Sequence, residues 1–246
     1  MAAPIIAFEH VGKVYGEAEA LVDFSLNVFP GEFLTVIGTS GSGKTTFLKM
    51  INGLIAPDSG RVEVEGEDIA QVDLIALRRR IGYTIQGVGL FPHMTVAQNM
   101  VYVPDLSGLF SPEEKRAQIE RLLTLVGLEQ DLAGRYPGEL SGGQRQRVGI
   151  ARALAANPHI LLMDEPFGAV DEITRRRLQR EIKAIHGELE VTIIFITHDI
   201  REALKLGDRV AVMDEGCLVQ LDTPEALRQA PATPFVAELL GDEGNG

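Results

Sequence analysis

The string Gly38-Thr39-Ser40-Gly41-Ser42-Gly43-Lys44-Thr45 follows an apolar run, Phe33–Ile37, and opens a helical stretch from Thr45 to Asn52. That order commits the chain around it to a strand, a tight glycine-rich loop and a helix. Glycines let successive backbone N–H groups turn inward, and the helix aims its positive end at the same point, so the loop suits phosphate oxygens. Lys44 is placed to reach the β- and γ-phosphates of a nucleoside triphosphate, and the Thr45 hydroxyl to hold Mg²⁺. The plain alternative is an unliganded strand–helix turn, which the flanking strand and helix disfavour.

Strand-like segments rich in β-branched and aromatic residues occur at Ile5–His10, Phe24–Phe29, Phe33–Ile37, Arg61–Glu65, Ile81–Ile85, Ile160–Met163, Thr192–Ile196 and Arg209–Met213. Several are continuous apolar runs, as expected of parallel strands buried on both faces. Helical segments alternate with them in the second half, which predicts an α/β architecture. Between Pro92 and Asn157 the pattern is helical alone. There Ser111-Pro112-Glu113-Glu114 reads as a capped helix start, Ile119, Leu122, Leu123 and Val126 share one face, and Gly127 is a plausible stop.

The run Ile160-Leu161-Leu162-Met163 ends in Asp164 and Glu165. Open parallel sheets bind ligands beyond the carboxyl ends of their strands, which suits Asp164 to orienting a metal's shell and Glu165 to polarising an attacking water. A third apolar run, Val191–Thr197, ends in His198, whose imidazole can contact a γ-phosphate. His10, His93, His159 and His186 show no metal-like spacing and read as structural or exposed.

Leu140-Ser141-Gly142-Gly143-Gln144 precedes a helical stretch to Ala156. It reads as a serine-x-x-glutamine capping box. Two glycines in a first turn nevertheless cost about 0.8–1 kcal/mol each relative to alanine, which makes sense where the backbone must approach something closely. A helix N-terminus is also an anion site.

A formal charge of -12 over 246 residues lacks the basic face of a nucleic-acid binder. The single cysteine, Cys217, allows no intramolecular disulfide, suits a reducing cytoplasm, and is expected to pack as a small residue in a late strand. Met1–Phe8 lacks a basic start and a long apolar stretch, so no signal peptide is expected. Apolar runs such as Ile193–Ile196 are far short of the ~20 residues that span a bilayer, so a membrane role would come through a partner.

Together Gly38–Thr45, Leu140–Gln144 and Leu162–Glu165 resemble the ATP-binding subunits of ABC transporters, over about residues 5–240. The resemblance implies a P-loop NTPase core, a RecA-like mostly parallel sheet with an antiparallel β subdomain, plus an inserted helical subdomain. One domain would span 1–240, with core 1–90 and 158–215, helical subdomain 91–157, a C-terminal helical segment 216–240 and a disordered tail 241–246. ATP and Mg²⁺ would be the cofactors, with Lys44, Glu165 and His198 catalytic. Gly38, Thr39, Ser40, Gly41, Ser42, Gly43, Lys44, Thr45 and Thr46 would hold the triphosphate, and Tyr15 would stack on adenine. Gln86 would be the Q-loop glutamine that reports to a membrane subunit and joins Thr45 and Asp164 around the metal. Asp171 would lie at a dimer interface.

In that family two copies pair head to tail, so Ser141, Gly142, Gly143 and Gln144 of one would cap ATP held by the other. Transmembrane permease subunits and, indirectly, a solute-binding protein would be partners, with no nucleic acid, at the cytoplasmic face of the cell membrane. Ile81–Thr95 and Glu165–Arg175 look like importers of glycine betaine, carnitine, choline and other quaternary amines. Other importers, of amino acids or sulfonates, are the alternative. Some osmoprotectant subunits carry C-terminal CBS domains; ending near Gly246, this chain is expected to lack ionic-strength sensing of that kind. Thr39 stands where many relatives have proline, a variable position expected to be harmless. Thr223–Leu240 offers an amphipathic helix or two, and Arg175-Arg176-Arg177 with Arg180 reads as a solvated helix face. DNA-repair and chromosome ATPases need a coiled-coil or metal-binding insertion that Asn52–Leu140 lacks, and a GTPase needs an Asn-Lys-x-Asp motif that is absent.

Overall fold

In a computed structural model that describes residues 3–241, apart from Gln86, Val88, Ala169 and the side chain of Leu189, the chain divides into two compact units. Unit 1 is Met1–Arg78 with Glu190–Gly246, and unit 2 is Arg79–Leu189. The first stretch runs β1 (Ile6–Tyr15), β2 (Ala18–Val28), β3 (Phe33–Gly38), α1 (Lys44–Ile51), β4 (Ser59–Val64), β5 (Glu67–Asp68) and α2 (Leu74–Arg80). Unit 2 follows with β6 (Ile81–Thr84), α3 (Val96–Met100), α4 (Tyr102–Ser107), α5 (Pro112–Leu125), α6 (Gly142–Leu154), β7 (Ile160–Asp164) and α7 (Glu172–Leu189). The chain returns to unit 1 as β8 (Thr192–Ile196), α8 (Ile200–Leu206), β9 (Arg209–Asp214), β10 (Cys217–Asp222), α9 (Pro224–Gln229) and α10 (Pro234–Gly241). The fold is α/β, of the P-loop NTPase class.

In unit 1, β3 pairs in parallel with both β8 and β9, and β10 adds antiparallel to β9. All five residues of β8 are buried, which explains why its sequence is an unbroken apolar run rather than an alternation. A second, antiparallel sheet has the order β2-β1-β4-β5. Phe8 and Phe24 from that sheet meet Phe47 of α1 with ring centroids 4.9–5.7 Å apart. Each ring is fully buried, worth roughly 1.5–3 kcal/mol, and the cluster fixes the helix that carries Lys44.

Several bounds differ from the sequence expectation. β1 continues past His10 to Tyr15 through register shifts after Phe8 and Val11, with His10 at φ 50°, so a bulge breaks the alternation that would have revealed it. β2 begins at Ala18 rather than Phe24, and Asp23 sits at φ 45° inside it. Cys217–Asp222, expected within a helical segment, is strand β10, formed by the turn at Glu215 (φ 45°) and Gly216 (φ 78°). Cys217 is exposed rather than packed, because it opens this edge strand. The apolar faces of α9 and α10 have their partner within the unit: Leu227 and Val236 pack on Ile37, Ala203, Val210 and Val212. Gly241, expected in the tail, ends α10; the rest of that tail lies outside the described residues.

In unit 2, β6 and β7 pair in parallel, Ile81 opposite Ile160 through Thr84 opposite Met163. Ser111 caps α5 with Glu114 closing the capping box, Leu122, Leu123 and Val126 are buried, and Gly127 ends the helix at φ 63°. On α7 the arginine run makes ion pairs with its own helix, Arg176 with Glu172 and Arg177 with Glu181 at 2.7 Å each. No described helix is long and apolar enough to cross a membrane.

Candidate functional site

In unit 1 the phosphate loop joins β3 to α1 as expected. Gly38, Gly41 and Gly43 all have positive φ, 150°, 83° and 94°. At two of them space as well as φ demands glycine. A Cβ on Gly38 would lie 2.0 Å from the Met213 carbonyl oxygen, and one on Gly43 2.2 Å from that of Ala20. Gly43 is the N-cap of α1, and no side-chain hydrogen bond caps the helix there. The Lys44 ammonium donates to the Gly38 carbonyl at 2.9 Å, the Thr39 carbonyl at 2.6 Å and the Ser42 hydroxyl at 3.2 Å. Triphosphate oxygens can replace these neutral acceptors with charged ones, a stronger class of bond. Thr39 is not inert: its hydroxyl donates to Asp214 at 2.8 Å and ties the loop to the end of β9.

His198 follows the carboxyl end of β8 by two residues, as Gly38 follows Val36, and Val36 pairs with Ile196, the last residue of β8. It is exposed, on a stiff turn. Thr197 donates its hydroxyl to Glu202 at 2.8 Å and accepts from the Asp199 N–H at 3.0 Å, and Asp199 caps α8 through the Glu202 N–H at 3.2 Å. This Thr197–Asp199–Glu202 frame was not legible beforehand, although an acid after a strand is a helix-cap signal. Tyr15 ends β1, 48% exposed.

In unit 2, Asp164 ends β7 and is 2% exposed, whereas Glu165 follows it half-buried at φ 47°. Burial pushes the Tyr83 phenol up to about 12, helped by the Asp164 charge. Ser141 caps α6: its hydroxyl accepts from the Gln144 N–H at 3.2 Å, and the Gln144 amide oxygen accepts from the Ser141 N–H at 2.8 Å. Gly142 and Gly143 form the first turn behind it. Arg147 grips that turn, donating to the Gly143 carbonyl at 3.4 Å and to the Gly127 carbonyl, beyond α5, at 2.8 Å. Asp171 accepts from the Thr174 N–H at 3.0 Å ahead of α7, a backbone bond that holds its carboxyl below the usual range. Gln86 lies outside the described residues.

The segment after Gln86 is fastened by residues the sequence did not single out. Asn99, fully buried, accepts from the Phe91 N–H at 2.8 Å and donates to the carbonyls of Phe91, Met94 and Thr95 at 3.0–3.1 Å. Arg152 donates to the Gly89 carbonyl at 2.9 Å and lies 5.8 Å from the Phe91 ring centroid. Asn99→Ala strands these backbone groups and is expected to cost about 1–3 kcal/mol, read as a lower urea midpoint at unchanged slope.

Among the described residues no group of three or more His, Cys, Asp or Glu is arranged to hold a metal. The Thr45 hydroxyl in unit 1 and the buried Asp164 carboxylate in unit 2 are each oxygen donors of the kind Mg²⁺ takes when it arrives on phosphates.

A family model described as "ABC transporter" matches residues 21–168. The chain is 51% identical over 241 residues to the glycine betaine/carnitine/choline transport ATP-binding protein OpuCA of Bacillus subtilis (strain 168), covering 97% of this chain and 63% of that protein. It thus spans less than two thirds of that relative. It is 50% identical over 237 residues to the glycine betaine uptake system ATP-binding protein YehX of Escherichia coli (strain K12), covering 96% of this chain and 77% of that one. Among solved structures, the dimeric post-hydrolysis state of the ATP-binding cassette MJ0796 bound to ADP and Pi matches with a TM-score of 0.84 at 35% identity, covering 89% of this chain and 98% of that chain. The loop at Gly38–Thr45, the glycine turn behind Ser141 and these matches agree: the chain belongs to the ABC transporter family.

Proposed function

We propose that this chain is the ATP-hydrolysing subunit of an importer, in which ATP-driven head-to-tail closure of two copies powers uptake of a quaternary-amine osmoprotectant. Permease subunits and, through them, a solute-binding protein complete the system, with the chain peripheral at the cytoplasmic membrane face. The observation that carries the reading is the phosphate loop, three glycines at positive φ leading into a helix start that no side chain caps. The dimeric cassette among the structural matches supports pairing, and the names of the relatives support the solute class.

In this reading Lys44 and the loop N–H groups take the phosphates, Thr45 and Asp164 serve Mg²⁺, Gln86 joins them, and Tyr15 takes adenine. Mg²⁺, when bound, neutralises charge on the triphosphate. Glu165 accepts a proton from the attacking water, His198 contacts the γ-phosphate, and Ser141–Gln144 of the second copy close over it with a helix N-terminus.

Uptake measured in a strain lacking the gene tests the proposal. Radiolabelled glycine betaine and choline transport at high salt should vanish, return with the wild-type chain, and stay absent with Lys44→Ala. Intact betaine and choline uptake beside lost amino-acid or sulfonate uptake would reassign the solute.

A further inference from the structure

An exposed ring at a strand end is a poor stacking platform unless something holds it. Tyr15 pairs with Ala18 across the β1–β2 turn, and Val14 with Glu19. Two residues on, Ala20 presents its carbonyl against Gly43, so this hairpin end abuts the phosphate loop. The hairpin is braced from a residue more than forty positions away. Asp58 Oδ1 accepts from Lys13 Nζ at 2.7 Å, and Oδ2 accepts from the Val14 N–H at 2.8 Å. The Asp58 N–H in turn donates to the Gly12 carbonyl at 2.9 Å. Asp58 therefore ties three consecutive residues immediately before the ring, Lys13 and Val14 through its carboxylate and Gly12 through its backbone N–H. The Lys13 side chain is only 15% exposed, and its ammonium lies 5.5 Å from the Tyr15 ring centroid. A cation anchored by Asp58 thus lies over one face of the ring, an arrangement that would leave the other face to a stacking base.

We infer that Asp58, acting with Lys13, is a positioning residue that holds the Tyr15 ring for the nucleotide base and sets affinity for the base without touching the phosphates. This rests on the proposed assignment of Tyr15 to adenine. The lowered pKa of Asp58, caused chiefly by the bond from Lys13 and then by that from Val14, agrees with a carboxylate committed to these donors.

The test is calorimetric titration of the full chain, in Mg²⁺, with a non-hydrolysable ATP analogue and with inorganic tripolyphosphate, which has no base. Asp58→Ala should weaken the analogue about three- to tenfold and leave tripolyphosphate as in the wild type. Lys13→Met should follow it, and Lys13→Arg should keep wild-type affinity. In a Tyr15→Ala background Asp58→Ala should add nothing, because a brace without a ring has nothing to hold. Equal loss of both ligands in Asp58→Ala, or additive losses in the double variant, would overturn the brace. A Tyr15→Ala chain that binds the analogue like wild type would instead remove the platform, a failure seen before Asp58 is altered.

Discussion

Glu165→Gln should lower ATP hydrolysis by ~10²–10⁴-fold while leaving ATP bound, and the chain should then run on size exclusion with Mg-ATP as a species of doubled mass. The two acids at the end of β7 differ in surroundings. Asp164 is sealed in the strand end at 2% exposure, whereas Glu165 is half-buried one residue later, in a left-handed backbone conformation. A buried carboxylate suits a fixed charge near a cation; a more open one can exchange a proton with water. Glutamine keeps the length and shape of Glu165 and is no harder to hold at φ 47°, so the substitution removes only the ionisable carboxyl, with little cost to the fold. If hydrolysis is what reopens a closed pair, as proposed, the dimer should accumulate. A chain that stays monomeric with Mg-ATP, or that turns over normally, would remove Glu165 from this role.

Much of this was legible because the relevant residues are contiguous. The loop from Gly38 to Thr45, the strand Thr192–Ile196 and the capping box at Ser111 each state their structure within a few positions, through glycine placement, unbroken apolar burial or a serine–glutamate spacing. What stayed hidden depends on distance or irregularity. β1 and β2 were cut short because His10 and Asp23 interrupt the alternation at positive φ. β5 is two acidic residues, and β10 is exposed at Cys217 and only partly buried after it, so neither reads as a buried strand. The Asn99 knot, the Thr39–Asp214 bond and the Asp58 brace join positions that no short window relates, and polar partners of that kind announce themselves only in three dimensions. Ser141 shows how one string can carry two meanings: the capping box is formed, and the same turn is the helix N-terminus proposed to close over a phosphate.

The second large effect follows from that turn. Gly142→Asp should fold and bind ATP yet hydrolyse it ~10²–10³-fold more slowly. A Cβ at Gly142 meets nothing closer than the Arg145 guanidinium at 3.9 Å, so the side chain has room. An aspartate in a helix's first turn also complements the macrodipole, worth about 0.3–1 kcal/mol, so stability should hold or rise. Only a triphosphate presented by another copy makes the new charge harmful, since like charges about 4 Å apart repel by roughly 4 kcal/mol at a protein surface. Ser141→Arg should fail similarly but with some loss of stability, because the serine hydroxyl holds the Gln144 N–H and removing a cap costs about 1 kcal/mol. Mixing separates a shared site from a private one. Gly142→Asp has an intact phosphate loop and Lys44→Ala an intact turn, so a mixed head-to-tail pair would carry one complete site although each variant alone is severely impaired. Activity should therefore return when the two are combined. A mixture of Gly142→Asp with Lys44→Ala that stays silent would mean that the turn serves its own chain, and that closure of two copies is not what drives hydrolysis.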